Sequence, residues 1–185
     1  MVCLTHKIPD RLTIVPPTFL GNKLPSLTVE DENKKTIISL AEQLYLCSVW
    51  NSFVFDWAIR QKVTTTLNFF YLYQTPVPRL REVDPRFNSF VDRAARLICT
   101  TPEFDDLAKA VGLNPTTSAG RTEYGSTDPT ERAKLRAELD GLVAHLYGLT
   151  EAEFAHILGS FPLVAEAVKV DAHNAYRRVA NGLIE

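Results

Sequence analysis

The sequence predicts an α+β chain that is mainly α: short β segments near the N-terminus and over residues 67–80, followed by a C-terminal helical bundle. Three observations predict it. Apolar residues recur at helical spacing over 31–62, 87–112 and 128–183. The β-type runs are short and stop at prolines. The chain, 185 residues with 45% hydrophobic and 23% charged, is long enough and apolar enough to bury a core.

In chain order, Leu12-Thr13-Ile14-Val15 is a β-type run ended by Pro16 and Pro17, with a turn at Gly21-Asn22 and a further break at Pro25. So short a segment cannot bury a sheet face alone and needs a partner sheet from elsewhere. Asp31-Glu32-Asn33 opens the most strongly patterned stretch, with acid at the expected helix start. Ile37, Leu40, Ala41 and Leu44 give one helical face; Trp50, Phe53, Val54, Trp57 and Ala58 repeat it, with Asn51-Ser52 as the expected break between two helices. Residues 67–80, LNFFYLYQTPVPRL, are aromatic-rich; periodicity at this length fits a strand or a short helical turn, and the fold class counts the stretch as β. Phe87, Phe90, Val91, Ala94, Ala95 and Ile98 form the next face. Thr101-Pro102-Glu103 signals a helix start, with Gly112 as its stop. Residues 113–128 read as a linker or exposed loop. Three helices are expected beyond it: one opened by Asp128-Pro129, one by a capping box at Thr150 and Glu153, and one from Val164 to Leu183.

Composition bounds the function. Cys3, Cys47 and Cys99 are odd in number and lack CxxC spacing, which argues against a disulfide framework and a zinc site. Met1 to Asp10 has no apolar run of signal-peptide length, and no stretch has the roughly 20 apolar residues of a membrane span, so a cytoplasmic protein with no membrane contact is expected. The net charge of −2 is less basic than a free-standing DNA-binding domain usually shows, but the charge is uneven. Arg60, Lys62, Arg79, Arg81, Arg86, Arg93 and Arg96 face only Glu82, Asp84 and Asp92 in the same window, whereas the chain beyond residue 100 is acid-rich.

Catalytic signatures are missing. There is no glycine-rich phosphate loop, no GxSxG and no HExxH, and His6, His145, His156 and His173 share no metal-ligand spacing. Pro9-Asp10 with Glu32-Asn33-Lys34 fits the loose nuclease pattern PD…ExK, in which two acids hold Mg²⁺ and a lysine stabilises charge. That chemistry needs neighbouring strands, and Glu32 and Lys34 sit in a polar run without β character. The more informative constellation is Phe69, Phe70, Tyr71 and Tyr73 beside Arg60, Lys62, Arg79 and Arg81, with Thr64, Thr65, Thr66 and Asn68 as short polar donors. Aromatics and cations together can grip nucleic acid by stacking and phosphate pairing. The same aromatics fit an ordinary core, and the same threonines a turn.

Residues 51–80, NSFVFDWAIRQKVTTTLNFFYLYQTPVPRL, resemble a signature in the C-terminal part of large single-chain adenine-specific DNA methyltransferases of type II restriction–modification systems, the Eco57I-like enzymes. VPPTFLGNKLPSL before it, RAARLICTTPEFDDLAKAVGL after it, and ERAKLRAELDGLVAHLYGLTEAEFAHILGSFPLV resemble the same family's C-terminal end, so the likeness runs from about residue 10 to 170. It implies a partial DNA target-recognition region over 1–100, a short helix and linker over 101–127, and a helical tail over 128–185. In such enzymes the catalytic domain binds S-adenosylmethionine and carries an Asn-Pro-Pro-aromatic motif that holds a flipped adenine. Asn114-Pro115-Thr116 and Asp128-Pro129-Thr130 do not fit that motif, so no catalytic or cofactor residue carries over. The expected partners are double-stranded DNA and a catalytic methyltransferase domain or subunit that holds the cofactor. Arg60, Lys62, Arg79 and Arg81 are expected on phosphates, with Thr64, Thr65, Thr66 and Asn68 towards the groove. The alternative is a module that docks on a methyltransferase subunit without touching DNA.

Overall fold

The computed structural model of the protein describes residues 2–3, 13–14, 26–27, 33, 37–63, 69–118 and 121–185. Eight helices lie among them, and local chemistry sets their ends. Helix α1 (Leu40–Trp50) starts at a full capping box: Ser39 Oγ accepts from Glu42 N–H, and Glu42 Oε2 accepts from Ser39 N–H. The helix start expected at Asp31–Asn33 is thus corrected to Leu40, and Ile37 lies exposed before it. Helix α2 (Phe53–Arg60) begins where the break at Asn51-Ser52 was expected, with Ser52 as its N-cap. Helix α3 (Phe69–Tyr73) is a short turn of helix, and α4 (Phe87–Ile98) follows after a loop. A 3-10 turn, Pro102–Phe104, leads into α5 (Asp105–Ala110).

Helix α6 (Pro129–Leu146) has Asp128 as cap and Pro129 in its first turn, as the sequence signals. It ends at Gly148, whose φ of 70° lets Leu149 N–H reach back to Ala144 O. Helix α7 (Glu151–Gly159) has the expected Thr150–Glu153 capping box, and α8 (Glu166–Ala180) completes the bundle.

Buried residues from Leu44 to Ile184 form one contiguous apolar core. Helix α6 lies against α8, α1 against α4, and α2 against α6 and α7. Tyr45, Phe87 and Phe90 interlock with ring centroids 5.5 and 5.6 Å apart, and Phe53 meets Phe161 edge-on at 5.1 Å. Two carboxylates are buried in this core with partners. Glu138 Oε2 accepts from Arg93 Nε at 2.8 Å, joining α6 to α4. Asp140 Oδ1 accepts from the Phe53 N–H at 2.9 Å, so α6 supplies an acceptor to the first turn of α2.

The α+β class is corrected to a helical protein. Among the described residues, the β component expected near the N-terminus does not form a sheet layer. Pairing there amounts to two-residue rungs, β1 (Val2–Cys3) between β2 (Thr13–Ile14) and β3 (Ser26–Leu27). Rungs of that length bury no face. Within the expected linker, β4 (Thr116–Ser118) and β5 (Arg121–Glu123) make a three-residue hairpin. The stretch 67–80, counted as β, holds α3 and then a connection with no ladder partner among the described residues. The physical reason is Pro76 and Pro78, which have no N–H to give to a neighbouring strand.

Candidate nucleic-acid interface

The connection after α3 is held to the helical body by its carbonyls. Lys62 Nζ, just beyond α2, donates to Gln74 O at 2.5 Å. Tyr147 Oη, at the end of α6, donates to Pro76 O at 2.8 Å, and Tyr45 Oη of α1 donates to Pro78 O at 2.5 Å. Every second carbonyl is therefore taken by a side chain from a different element. Gln74 still belongs to the turn that ends α3, and the alternate carbonyls at Pro76 and Pro78 fit chain running edge-on to the body after it. Prolines at 76 and 78 suit the arrangement, since the edge facing the helices has donors to meet carbonyls and needs few N–H groups. Burial pushes the Tyr45 hydroxyl up to about 12, against smaller opposing effects from the Leu80 N–H and Arg86, and burial raises Tyr147 as well. Both are therefore neutral donors throughout the physiological range.

Around this strap the expected site residues separate into groups. Leu80 is buried, and Arg79 and Arg81 on either side of it are exposed, with no ion pair to a described residue. Phe70 and Tyr73, one turn apart on α3, are 62% and 75% exposed; of the aromatic run's neighbours it is Leu72 that enters the core. The ordinary-core reading thus fails for these two rings, which face solvent as stacking surfaces can.

Arg60 stands apart from the group. It makes a bidentate pair with Asp56 at 2.7 and 2.9 Å, and its guanidinium lies 5.2 Å from the Phe161 ring centroid. Arg86 is likewise held by Asp84, Arg96 by Asp92, and Arg93 by Glu138. The Arg86 hydrogen bonds hold the Asp84 carboxyl down at about 2. Four of the seven cations counted in the basic window are therefore neutralised by their own chain. Lys62, Arg79 and Arg81 carry what charge remains for a partner. Thr64, Thr65, Thr66 and Asn68 lie outside the described residues, as do Asp10, Glu32 and Lys34 of the nuclease-like pattern.

A second feature is an open cavity of about 500 Å³ between α4, the β4–β5 hairpin and the start of α6, lined by Asp92, Arg93, Arg96, Glu123, Asp128 and Glu138 among others. Most of its charged walls are already used: Arg96 pairs with Asp92, Arg93 with Glu138, and Asp128 caps α6. His145 is structural, stacking on Tyr176 at 4.0 Å and donating to the Tyr176 carbonyl at 2.9 Å. Among the described residues no group of three or more His, Cys, Asp or Glu side chains could hold a metal, and no helix is long and apolar enough to cross a membrane.

Tyr45 and Tyr147 are the strap-holding residues that sequence reasoning missed. Two prolines separated by one residue signal carbonyls in need of donors, but which hydroxyls supply them depends on how α1 and α6 sit in the bundle. No protein-family model, curated protein or solved structure matches the chain.

Proposed function

We propose that this chain is the DNA-recognition portion of a restriction–modification adenine-N6 DNA methyltransferase, acting in the cytoplasm. The methyl transfer belongs to a catalytic domain or subunit that binds S-adenosylmethionine. The observation that carries this reading is the exposure of Phe70 and Tyr73 on α3 and of Arg79 and Arg81 on the strap that follows, which Lys62 ties to the body through Gln74 O. Phe70, Tyr73 and Arg79 lie within residues 51–80, the segment that resembles a signature of those enzymes, and Arg81 directly follows it. Their role is positional: cations meet phosphates and fix register, while the aromatic rings offer faces to bases or sugars. Arg60, expected on phosphate, is instead assigned to the fold because Asp56 and Phe161 occupy it.

The test is duplex binding by fluorescence anisotropy, wild type against Arg79→Ala/Arg81→Ala. Loss of two phosphate contacts flattens the dependence of log affinity on log salt by about 1.8. An unchanged slope removes the pair from the interface.

One observation favours a second reading. Pairing of Arg60, Arg86, Arg93 and Arg96 with acids of the same chain leaves few free cations. In that reading Phe70 and Tyr73 dock on a methyltransferase subunit and DNA is not touched. Capture of a purified methyltransferase subunit that survives nuclease treatment and is lost in Phe70→Ser/Tyr73→Ser supports it; capture unaffected by those changes refutes it.

A further inference from the structure

We infer that Tyr45 and Tyr147 are positioning residues that set Arg79 and Arg81 as a matched pair for adjacent phosphates of one nucleic-acid strand; this rests on the DNA-recognition reading above. The argument begins with the carbonyl pattern. Gln74, Pro76 and Pro78 give their carbonyls to Lys62, Tyr147 and Tyr45. Tyr45 therefore holds the backbone immediately before Arg79. The buried Leu80 side chain then anchors the residue between the two arginines. In extended chain, residues two apart lie about 6.6 Å apart along the strand. Successive phosphates of one strand advance about 3.4 Å along the helix axis while also moving around it, so two arginines at this spacing suit neighbouring phosphates.

Position matters because each guanidinium sits on a long side chain. Contact then depends on a backbone that does not drift, and the two prolines before Arg79 stiffen φ without offering any N–H to lock the strap to the body. The two hydroxyls provide the lock. They come from α1 and α6, whose packing in the core is independent of the strap's own sequence. Tyr45 is anchored by its ring against Phe87 and Phe90. Removing the hydroxyl alone leaves that packing in place.

The experiment uses the full chain and a fluorescent duplex. Tyr45→Phe/Tyr147→Phe is compared with wild type in the native background and in Arg79→Ala/Arg81→Ala, at several salt concentrations. Thermal unfolding serves as a fold control, and limited trypsin digestion at Arg79–Leu80 and Arg81–Glu82 reports strap order without DNA. The expected result is binding weakened by about threefold to tenfold, a shallower salt slope, faster cleavage at the strap, and no further loss in the background without the arginines. A purely structural role would lower the unfolding midpoint and weaken binding equally in both backgrounds, which overturns the inference. Arginine-dependent binding that is indifferent to both hydroxyls also overturns it while leaving the DNA reading intact. Wild-type chain that shows no salt-dependent binding overturns the DNA reading itself, and the inference with it.

Discussion

Gly141, in the middle of α6, faces the backbone of α8 so closely that a methyl group there would lie 2.7 Å from the Tyr176 amide nitrogen and 2.8 Å from the Ala175 carbonyl carbon. Ordinary contacts between such atoms are about 3.5 Å or more, so Gly141→Ala requires the two helices to part by about 0.8 Å. Both neighbours are backbone atoms of a helix, which cannot rotate away as a side-chain end would. Overpacking of this kind costs about 1–3 kcal/mol. Alanine in a helix returns about 0.5–1 kcal/mol of backbone entropy and propensity. The clash outweighs the gain, and a net loss of about 1–2 kcal/mol follows. Urea unfolding followed by far-ultraviolet circular dichroism measures it. The midpoint is expected to fall by about 0.5–1 M at unchanged slope. Gly159→Ala, at the end of α7 where an added methyl group meets nothing within 4 Å, is the control and should be neutral or slightly stabilising. A Gly141→Ala midpoint at or above wild type would refute the close α6–α8 approach.

Three further outcomes follow from the same packing. Glu138→Ala removes the carboxylate from the Arg93 guanidinium, which is only 16% exposed and keeps the Ser89 and Glu185 carbonyl oxygens, and should cost about 1.5–3 kcal/mol, read from the same unfolding curves; loss below about 1 kcal/mol would place that pair in solvent instead. Cys47 and Cys99 are buried and burial pushes their thiols up to about 12 and about 11, so a thiol reagent at neutral pH should find both silent in the native protein and reactive only after denaturation. Rapid native labelling of more than one of the three thiols would contradict this. Glu151 is held below the usual carboxylate range by its hydrogen bond from Arg177, with His173 adding to it. A depressed carboxylate adds stability above its unfolded value that is lost as pH falls through the folded one. Glu151→Gln should therefore narrow the drop in unfolding midpoint between neutral pH and about pH 4; an identical drop in both proteins removes Glu151 from the α7–α8 contact.

Much of the helical organisation was legible in the sequence because local chemistry fixes it. Asn51-Ser52, Asp128-Pro129 and Thr150–Glu153 mark starts that the structure keeps. The start of α1 was equally legible, in Ser39-Leu40-Ala41-Glu42, but the acidic run at 31–33 drew the boundary too early. The i,i+4 spacing of Asp56 with Arg60 and of Asp92 with Arg96 foretold their pairing, and a simple tally of cations concealed it. What sequence could not give is tertiary. Residues 67–80 have β-like composition, yet α3 forms there, and the strap after it hydrogen-bonds to side chains rather than to a strand. Those donors lie about 33 and 71 residues away in the chain, beyond any local pattern. Exposure of Phe70 and Tyr73 likewise depends on Leu72 being the residue that the core accepts.

The central claim, that this chain recognises duplex DNA through its strap, is tested most directly by the salt dependence of wild-type binding. With Lys62, Arg79 and Arg81 on phosphates, log affinity should fall against log salt with a slope of about −2.7. A slope near zero, or no binding to duplex at low salt, would contradict the claim and leave the surface around Phe70 and Tyr73 to a protein partner.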